Sequence, residues 1–210
     1  MRTIVLGGGG HALVLIDAMH PKPVAVLDAQ RRDETILGVP ILGGDDLLDQ
    51  LIAAERLTHF AVGVGAIGRT DTRQRLYDYG LAQGLSSLTV VHRTAVCAES
   101  AIIGAGAQIF AAAVVNPLAQ IGNNTIINTG AMIEHECIVG NHVVVASGAI
   151  LSGSVQVGEG SFIGAGATII QGVSIGKAAI IGAGAVVLTD VPSGETVVGV
   201  PARPVQEKDR

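Results

Sequence analysis

Glu134-His135-Glu136 sets an imidazole between two carboxylates. A carboxylate can hold one ring nitrogen and leave the other free to accept a proton near neutral pH, which is the equipment of a general base. From Ser100 to Val187 the formal charges are Glu134, Glu136, Glu159 and Lys177, so two of the four flank this one histidine. The plainer alternative is a solvated corner. His142 is a second candidate, with a surface histidine as its plainer reading. Zinc chemistry would need three convergent histidines, and His92 lies far along the chain from His135 and His142, so no metal site is expected. A separate group stands near the start. Gly7-x-Gly9-x-x-Ala12 follows the apolar run Thr3 to Leu6, and Asp28 ends the next apolar run, where a ribose-binding acid would sit. Such a glycine turn lets phosphate approach N–H groups at a helix start. A tight turn that binds nothing fits the same residues.

The elements that must carry the histidine follow from a repeat. An aliphatic residue or cysteine recurs at every sixth position from Val91 to Val187, and four residues after each comes a small or β-branched one. Hexapeptide periodicity is the signature of a parallel β-helix, in which three short strands close one triangular coil. The aliphatics fill the interior and the small residues fit the corners. Glycine often follows the aliphatic directly, as at Gly104, Gly122 and Gly140, where a turn of unusual backbone geometry is expected. No hexad is interrupted, so no loop is inserted. A coil of eighteen residues places Gly153 next to His135, roughly 5 Å away by strand spacing. Its N–H could face an acyl carbonyl beside the imidazole, giving a base and an oxyanion donor together.

Composition agrees with a prism. The 210 residues are 49% hydrophobic with only 2% aromatic and no Trp, so narrow coils rather than aromatic-filled layers must bury the apolar side chains. This apolar content excludes disorder, and the want of a long uncharged apolar run excludes a membrane span. A net charge of −5 argues against a nucleic-acid partner. Thr3 to Leu6 is too short for a signal peptide, and Cys97 and Cys137 fall on periodic apolar positions, as free buried thiols would. A cytoplasmic location is expected.

The first ninety residues alternate strands with helices: strands at 3–6, 24–27 and 59–64, a helical pattern that follows the run Gly7 to Ala12 and continues through Met19, and helices at 44–57 and 70–83. That predicts a small parallel α/β domain over 1–88, followed by the repeat domain and its tail over 89–210. The first domain is half of a full dinucleotide fold, which favours a mononucleotide moiety.

Together these residues resemble the PglD/NeuD-type sugar acetyltransferases. The resemblance rests on Gly7-Gly8-Gly9-Gly10-His11-Ala12-Leu13-Val14 with Val26-Leu27-Asp28, on the run Ile127 to Gly140, which includes Glu134-His135-Glu136, and on the closing Val198-Gly199-Val200-Pro201-Ala202-Arg203. It implies a Rossmann-like α/β nucleotide-sugar domain, then a left-handed β-helix, assembled as a homotrimer. It further implies His135 as catalytic base, Glu136 as the acid that orients it, and Gly153 as the amide on the acetyl carbonyl. Ala165, Ala183 and Pro201 match positions along coenzyme A, the two alanines in a pantetheine channel between neighbouring subunits. Gly9, Gly10, His11, Ala12, Leu13, Asp28 and Asn128 match the sugar-nucleotide side. Two positions depart from the pattern. The family's second histidine on acetyl-CoA is replaced by Val144, with His142 two residues earlier expected on the same strand face. An Asn or Asp expected after Gly65 is replaced by Ala66 and Ile67.

The expected activity is acetyl-CoA-dependent N-acetylation of a nucleotide-linked amino sugar, such as a 4-amino-4,6-dideoxyhexose. His135 would take the proton from the attacking amine and thiolate would leave. An O-acetyltransferase for sialic acid or a related sugar is the alternative, and a non-catalytic nucleotide-sugar-binding trimer the rival from another class. A nicotinamide oxidoreductase would leave the prism without a role.

Overall fold

A computed structural model describes residues 1–31 and 33–205, so the tail residues 206–210 lie outside the described residues. The chain divides into two compact units: Met1–Gly65 with Asp71–Val90, and Ala66–Thr70 with the chain from Val91 onward.

The first unit is built on a four-stranded parallel sheet. Its elements run β1 (Thr3–Leu6), α1 (Gly10–Ala18), β2 (Ala25–Leu27), β3 (Thr35–Ile36), β4 (Val39–Pro40), α2 (Leu48–Glu55), β5 (His59–Val62), α3 (Asp71–Ala82) and β6 (Ser86–Ser87). The strand order is β2-β1-β5-β6. Short uninterrupted apolar strands suit a parallel sheet, and β1 is buried along its whole length. Ile4, Leu6, Leu27, Phe60 and Leu76 share one core. The helix expected from residue 44 is divided: Asp45–Leu47 forms a 3-10 turn ahead of α2. The β3–β4 hairpin and β6 carry too few residues to show a period. One buried charge also escaped the pattern. Arg73, near the start of α3, is fully buried, and its Nη1 donates to Val62 O at 3.0 Å and Val64 O at 2.9 Å. Burial lowers its pKa to about 9.

The second unit repeats a two-residue strand every six residues from Val90–Val91 to Val186–Val187. Together with the later strands Thr196–Val198 and Arg203–Pro204, these strands stack into three sheets of eight, six and five members, one for each face of a triangular prism. Partners lie eighteen residues apart, as in Val114↔Met132 and Met132↔Ile150. Inward aliphatics such as Ile109, Ile127, Ile133 and Leu151, and corner residues such as Ala113, Ala131 and Ala149, form one core along the prism axis. The final strand pair is antiparallel, Val197↔Pro204 and Val198↔Arg203.

The structure corrects the reason for the glycines. Those directly after the aliphatic do not take left-handed backbone. A Cβ on Gly122 would lie 2.5 Å from Gly140 C and 2.6 Å from Asn141 N, so this position must be bare for successive coils to stack. The left-handed residue stands two places further on, at every sixth residue from Gly106 to Gly184, with φ between 53° and 75°. Several of these corners are not glycine: Asn124, Glu136, His142 and Ser154 all adopt it. Two substitutions separate the roles. Gly122→Ala is expected to destabilise by ~1–3 kcal/mol through overpacking against backbone. Gly130→Ala, left-handed at +66° but open around its Cβ position, is expected to lose about 1 kcal/mol. Denaturant unfolding of the two variants gives the order.

Candidate active site

Three corners run along the prism, and the chain visits them in turn. His135 and Gly153 both follow strands of the six-stranded sheet, Met132–Ile133 and Ile150–Leu151, and stand one coil apart on the same edge. Their contact is close. A Cβ on Gly153 would lie 2.6 Å from both Cε1 and Nε2 of His135, so the imidazole rests where a side chain would otherwise project. Ser154 N–H donates to His135 O at 2.9 Å, fixing the backbone of one turn to the next.

The two flanking acids have different partners. His135 Nδ1 pairs with Glu136 Oε2 at 3.1 Å, both side chains being about half exposed. A carboxylate only accepts, so the neutral ring carries its proton on Nδ1 and presents the Nε2 lone pair. Glu134 Oε2 instead accepts from Asn116 Nδ2 at 3.0 Å, one coil earlier. The left-handed backbone at Glu136 is a conformation that costs a non-glycine residue about 1–2 kcal/mol. Cys137 is buried and turned inward, and its burial raises the thiol pKa, so it offers no nucleophile beside His135. The Gly153 N–H donates to no backbone or side-chain acceptor among the described residues. The edge therefore carries a base with a free lone pair and an uncommitted amide, side by side.

His142 is not on a strand. It occupies the following corner, left-handed at φ 57° and 7% exposed, with Nδ1 2.9 Å from Asn124 Nδ2. Val144 lies in the next strand, Val144–Val145, and is 3% exposed. Neither side chain shares the edge of His135. Asn128, Ala165 and Ala183 lie on the third edge, after strands of the eight-stranded sheet, and Gly184 N–H binds Ala165 O at 2.8 Å. Asn128 Oδ1 accepts from Thr129 N–H at 2.8 Å. Pro201 is exposed in a turn that Val186 holds at both ends, through Val186 N–H to Gly199 O and Ala202 N–H to Val186 O. Within one chain, the candidate base and the candidate coenzyme A positions thus lie on different edges. Among the described residues no three His, Cys, Asp or Glu side chains converge as a metal site would require.

In the first unit the glycine turn feeds α1. Gly7 is left-handed at φ 94°, and a Cβ there would strike Val64 Cγ2. Cβ positions on Gly9 and Gly10 meet nothing within 4 Å, so the start of α1 is open to an anion. His11 lies against Gly65, whose Cβ would be 3.4 Å from the His11 Cβ and Cγ. Leu13 is exposed, whereas Ala12 is fully buried and its N–H is bonded to Gly9 O at 3.0 Å. Asp28 holds the turn. Its Oδ2 accepts from Gly8 N–H at 2.7 Å and its Oδ1 from Gln30 and Arg31 N–H at 2.8 and 3.1 Å. Arg31 in turn donates from Nη1 to Gly8 O. Partial burial pushes the Asp28 carboxyl up, but the three N–H donors and the Arg31 charge outweigh it and hold the pKa below the ordinary value. The expected ribose acid is thus engaged in shaping the glycine turn. No described helix is long and apolar enough to cross a membrane.

Comparison with known proteins matches the family described as PglD N-terminal domain over residues 2–79. The family described as bacterial transferase hexapeptide (six repeats) matches over 118–153 and 154–189. No curated protein matches. Among solved structures, perosamine N-acetyltransferase from Caulobacter crescentus is 36% identical over 99% of this chain and 98% of its own, with a TM-score of 0.92. It was solved with CoA and GDP-perosamine, in variants with one histidine replaced by asparagine or by alanine. The acetyltransferase domain of PglB from Neisseria gonorrhoeae, solved with acetyl coenzyme A, is 33% identical over 97% of this chain and 98% of its own, with a TM-score of 0.87. WeeI from Acinetobacter baumannii is 26% identical over 97% and 99%, with a TM-score of 0.78. These likenesses give the second unit its hand, a left-handed parallel β-helix.

The lowered Asp28 pKa makes the glycine turn's stability depend on acid. A carboxylate with a depressed folded pKa contributes stability above its unfolded pKa and loses it as pH falls through the folded one. Asp28→Asn is therefore expected to lower stability at neutral pH, with the gap to wild type closing below about pH 4. Urea unfolding of both proteins between pH 7 and pH 3 measures it.

Proposed function

The chain belongs to the PglD/NeuD-type family of sugar acetyltransferases and is an acetyl-CoA-dependent acyltransferase, and from that premise we propose that it N-acetylates a nucleotide-linked amino sugar of the 4-amino-4,6-dideoxyhexose type. The observation that carries the reading is the His135 edge, where the Nε2 lone pair and the uncommitted Gly153 N–H lie side by side. As the sugar amine attacks the thioester carbonyl, His135 Nε2 accepts the amine proton. Glu136 holds Nδ1–H and favours the imidazolium that forms. The Gly153 N–H donates to the carbonyl oxygen as negative charge develops on it. The coenzyme A thiolate leaves and takes up a proton, so His135 returns neutral. Acetyl-CoA supplies the activated acyl group, and the chain supplies base, orientation and the oxyanion donor.

The open start of α1 at Gly9 and Gly10 supports a diphosphate site in the first unit, with His11 and Leu13 beside it. Asp28 acts there through the turn it holds, and Ala12 through packing. A homotrimer is supported by the separation of edges. A second copy presenting Ala165, Ala183 and Pro201 to the His135 edge of the first would complete a site that one chain leaves divided. It is also supported by the exposed apolar rungs on the six-stranded face, where Val96 is 62% and Met132 37% exposed. Two thiols without a disulfide and the use of acetyl-CoA support a cytoplasmic setting.

His135→Ala is expected to lower kcat by on the order of 10²–10⁴-fold. Gly153→Ala, which puts a methyl where the imidazole lies, is expected to lower kcat by about 100-fold with the fold retained. Both are measured by thiol release from acetyl-CoA with a panel of UDP-, GDP- and dTDP-linked amino sugars and the matched hydroxy sugars. Near-normal turnover by His135→Ala sinks the assignment of the base. Turnover only with hydroxyl acceptors converts the reading to O-acetylation.

A further inference from the structure

Resting on the reading of the Gly153 amide as oxyanion donor, we propose that Cys137 is a positioning residue for the transfer: its thiol donates to Ser152 O and thereby aims the N–H of the same peptide at the acyl carbonyl beside His135. The geometry is direct. Cys137 Sγ lies 3.1 Å from Ser152 O, and Cys137 is fully buried. Ser152 C=O and Gly153 N–H belong to one planar trans peptide, so they point in opposite directions. A carbonyl held toward the buried thiol turns the amide away from it. Burial also keeps the thiol protonated at neutral pH, so it remains a donor.

The same device recurs in the prism. Thr125 Oγ1 donates to Gly140 O at 2.8 Å, and Ser161 Oγ to Gly176 O at 2.8 Å, each fifteen residues ahead as Cys137 is of Ser152. The N–H of this peptide emerges from the coil at other turns too, Lys177 N–H to Ser193 Oγ at 3.1 Å with Ser161 behind it and Asn123 N–H to Asn141 Oδ1 at 2.8 Å with Ala107 behind it, so the thiol refines an aim that the coil already sets. Beyond Cys137 the corresponding amide is that of Gly153, which has no such acceptor among the described residues. Many other hexads carry Ala or Val at this position, as at Ala113, Ala131, Val143 and Val155, and pack equally well. The coil therefore does not require a donor there.

Cys137→Ala and Cys137→Val remove the donor while keeping residues the prism already accepts, and Cys137→Ser restores it with the chemistry of Ser161. Steady-state thiol release, with whichever panel acceptor gives the wild type its highest turnover, is measured alongside the melting temperature, the pH profile and His135→Ala. The expected result is kcat lower by ~10-fold in the Ala and Val variants, a part of the full loss of an oxyanion donor. The KM for acetyl-CoA, the pH profile and the melting temperature stay near wild type, and kcat recovers in Cys137→Ser. Wild-type kcat in both the Ala and Val variants overturns the proposal, as does a Ser variant no better than Ala or a loss confined to KM. If either happens while His135→Ala is inactive, the positioning role alone fails. An active His135→Ala instead removes the reading on which it rests.

Discussion

Eighteen residues close one coil of the prism, and each residue is therefore stacked on the one eighteen positions away. Strand pairing fixes that register, Met132 on Ile150 and Ile133 on Leu151, and a slip of even one residue would turn inward aliphatics out to solvent. Every polar ladder follows from it. Asn116 reaches Glu134, and Asn124 reaches His142. His135 covers Gly153 by the same rule. The coils also approach so closely that glycine is needed after many of the aliphatics, where any Cβ would enter the next coil's backbone. Stacking thus decides both what stabilises the prism and which side chains can meet.

The chemistry of the His135 edge depends on that stacking rather than on an unusual residue. An imidazole cannot lie over a neighbouring turn that bears a side chain, and Gly153 bears none. The left-handed corner lets Glu136 stand beside the ring while Glu134 is drawn to Asn116 in the adjacent coil. The two acids that flank His135 thereby take separate roles: one binds the histidine, and the other ties coils together. On a face with few other charges, the Glu136 carboxylate is the acid paired with the ring among the described residues.

The first unit achieves its geometry by different means. Asp28 gathers the N–H groups of Gly8, Gln30 and Arg31 and so fixes the turn that opens α1. Arg73, buried beneath the end of β5, binds the carbonyls of Val62 and Val64 where the sheet's own pairing stops. Both charged side chains replace hydrogen bonds that a tight loop cannot make to itself. Where stacking shapes the prism, a partly buried carboxylate and a buried guanidinium shape these loops.

The prism was legible in the sequence because its period is local: an aliphatic every sixth residue and a small residue four later need no distant partner to be recognised. The β1–α1–β2 start was legible for the same reason, and so was the placement of Gly153 beside His135, which is arithmetic on a fixed coil. Three matters lay beyond that arithmetic. The glycines after the aliphatics looked like turn formers, but only the stacked coils show that they are bare for close approach. His142 looked like a strand neighbour of Val144, yet it is itself the left-handed corner residue and lies outside the strand that Val144 begins. Asp28 looked like a ribose acid from its place at a strand end, and only the folded loop shows that both its oxygens also hold the turn. Spacing along the chain determines which residues share an edge. Which of them are covered, bonded or free depends on contacts between coils and across loops, which no local pattern records.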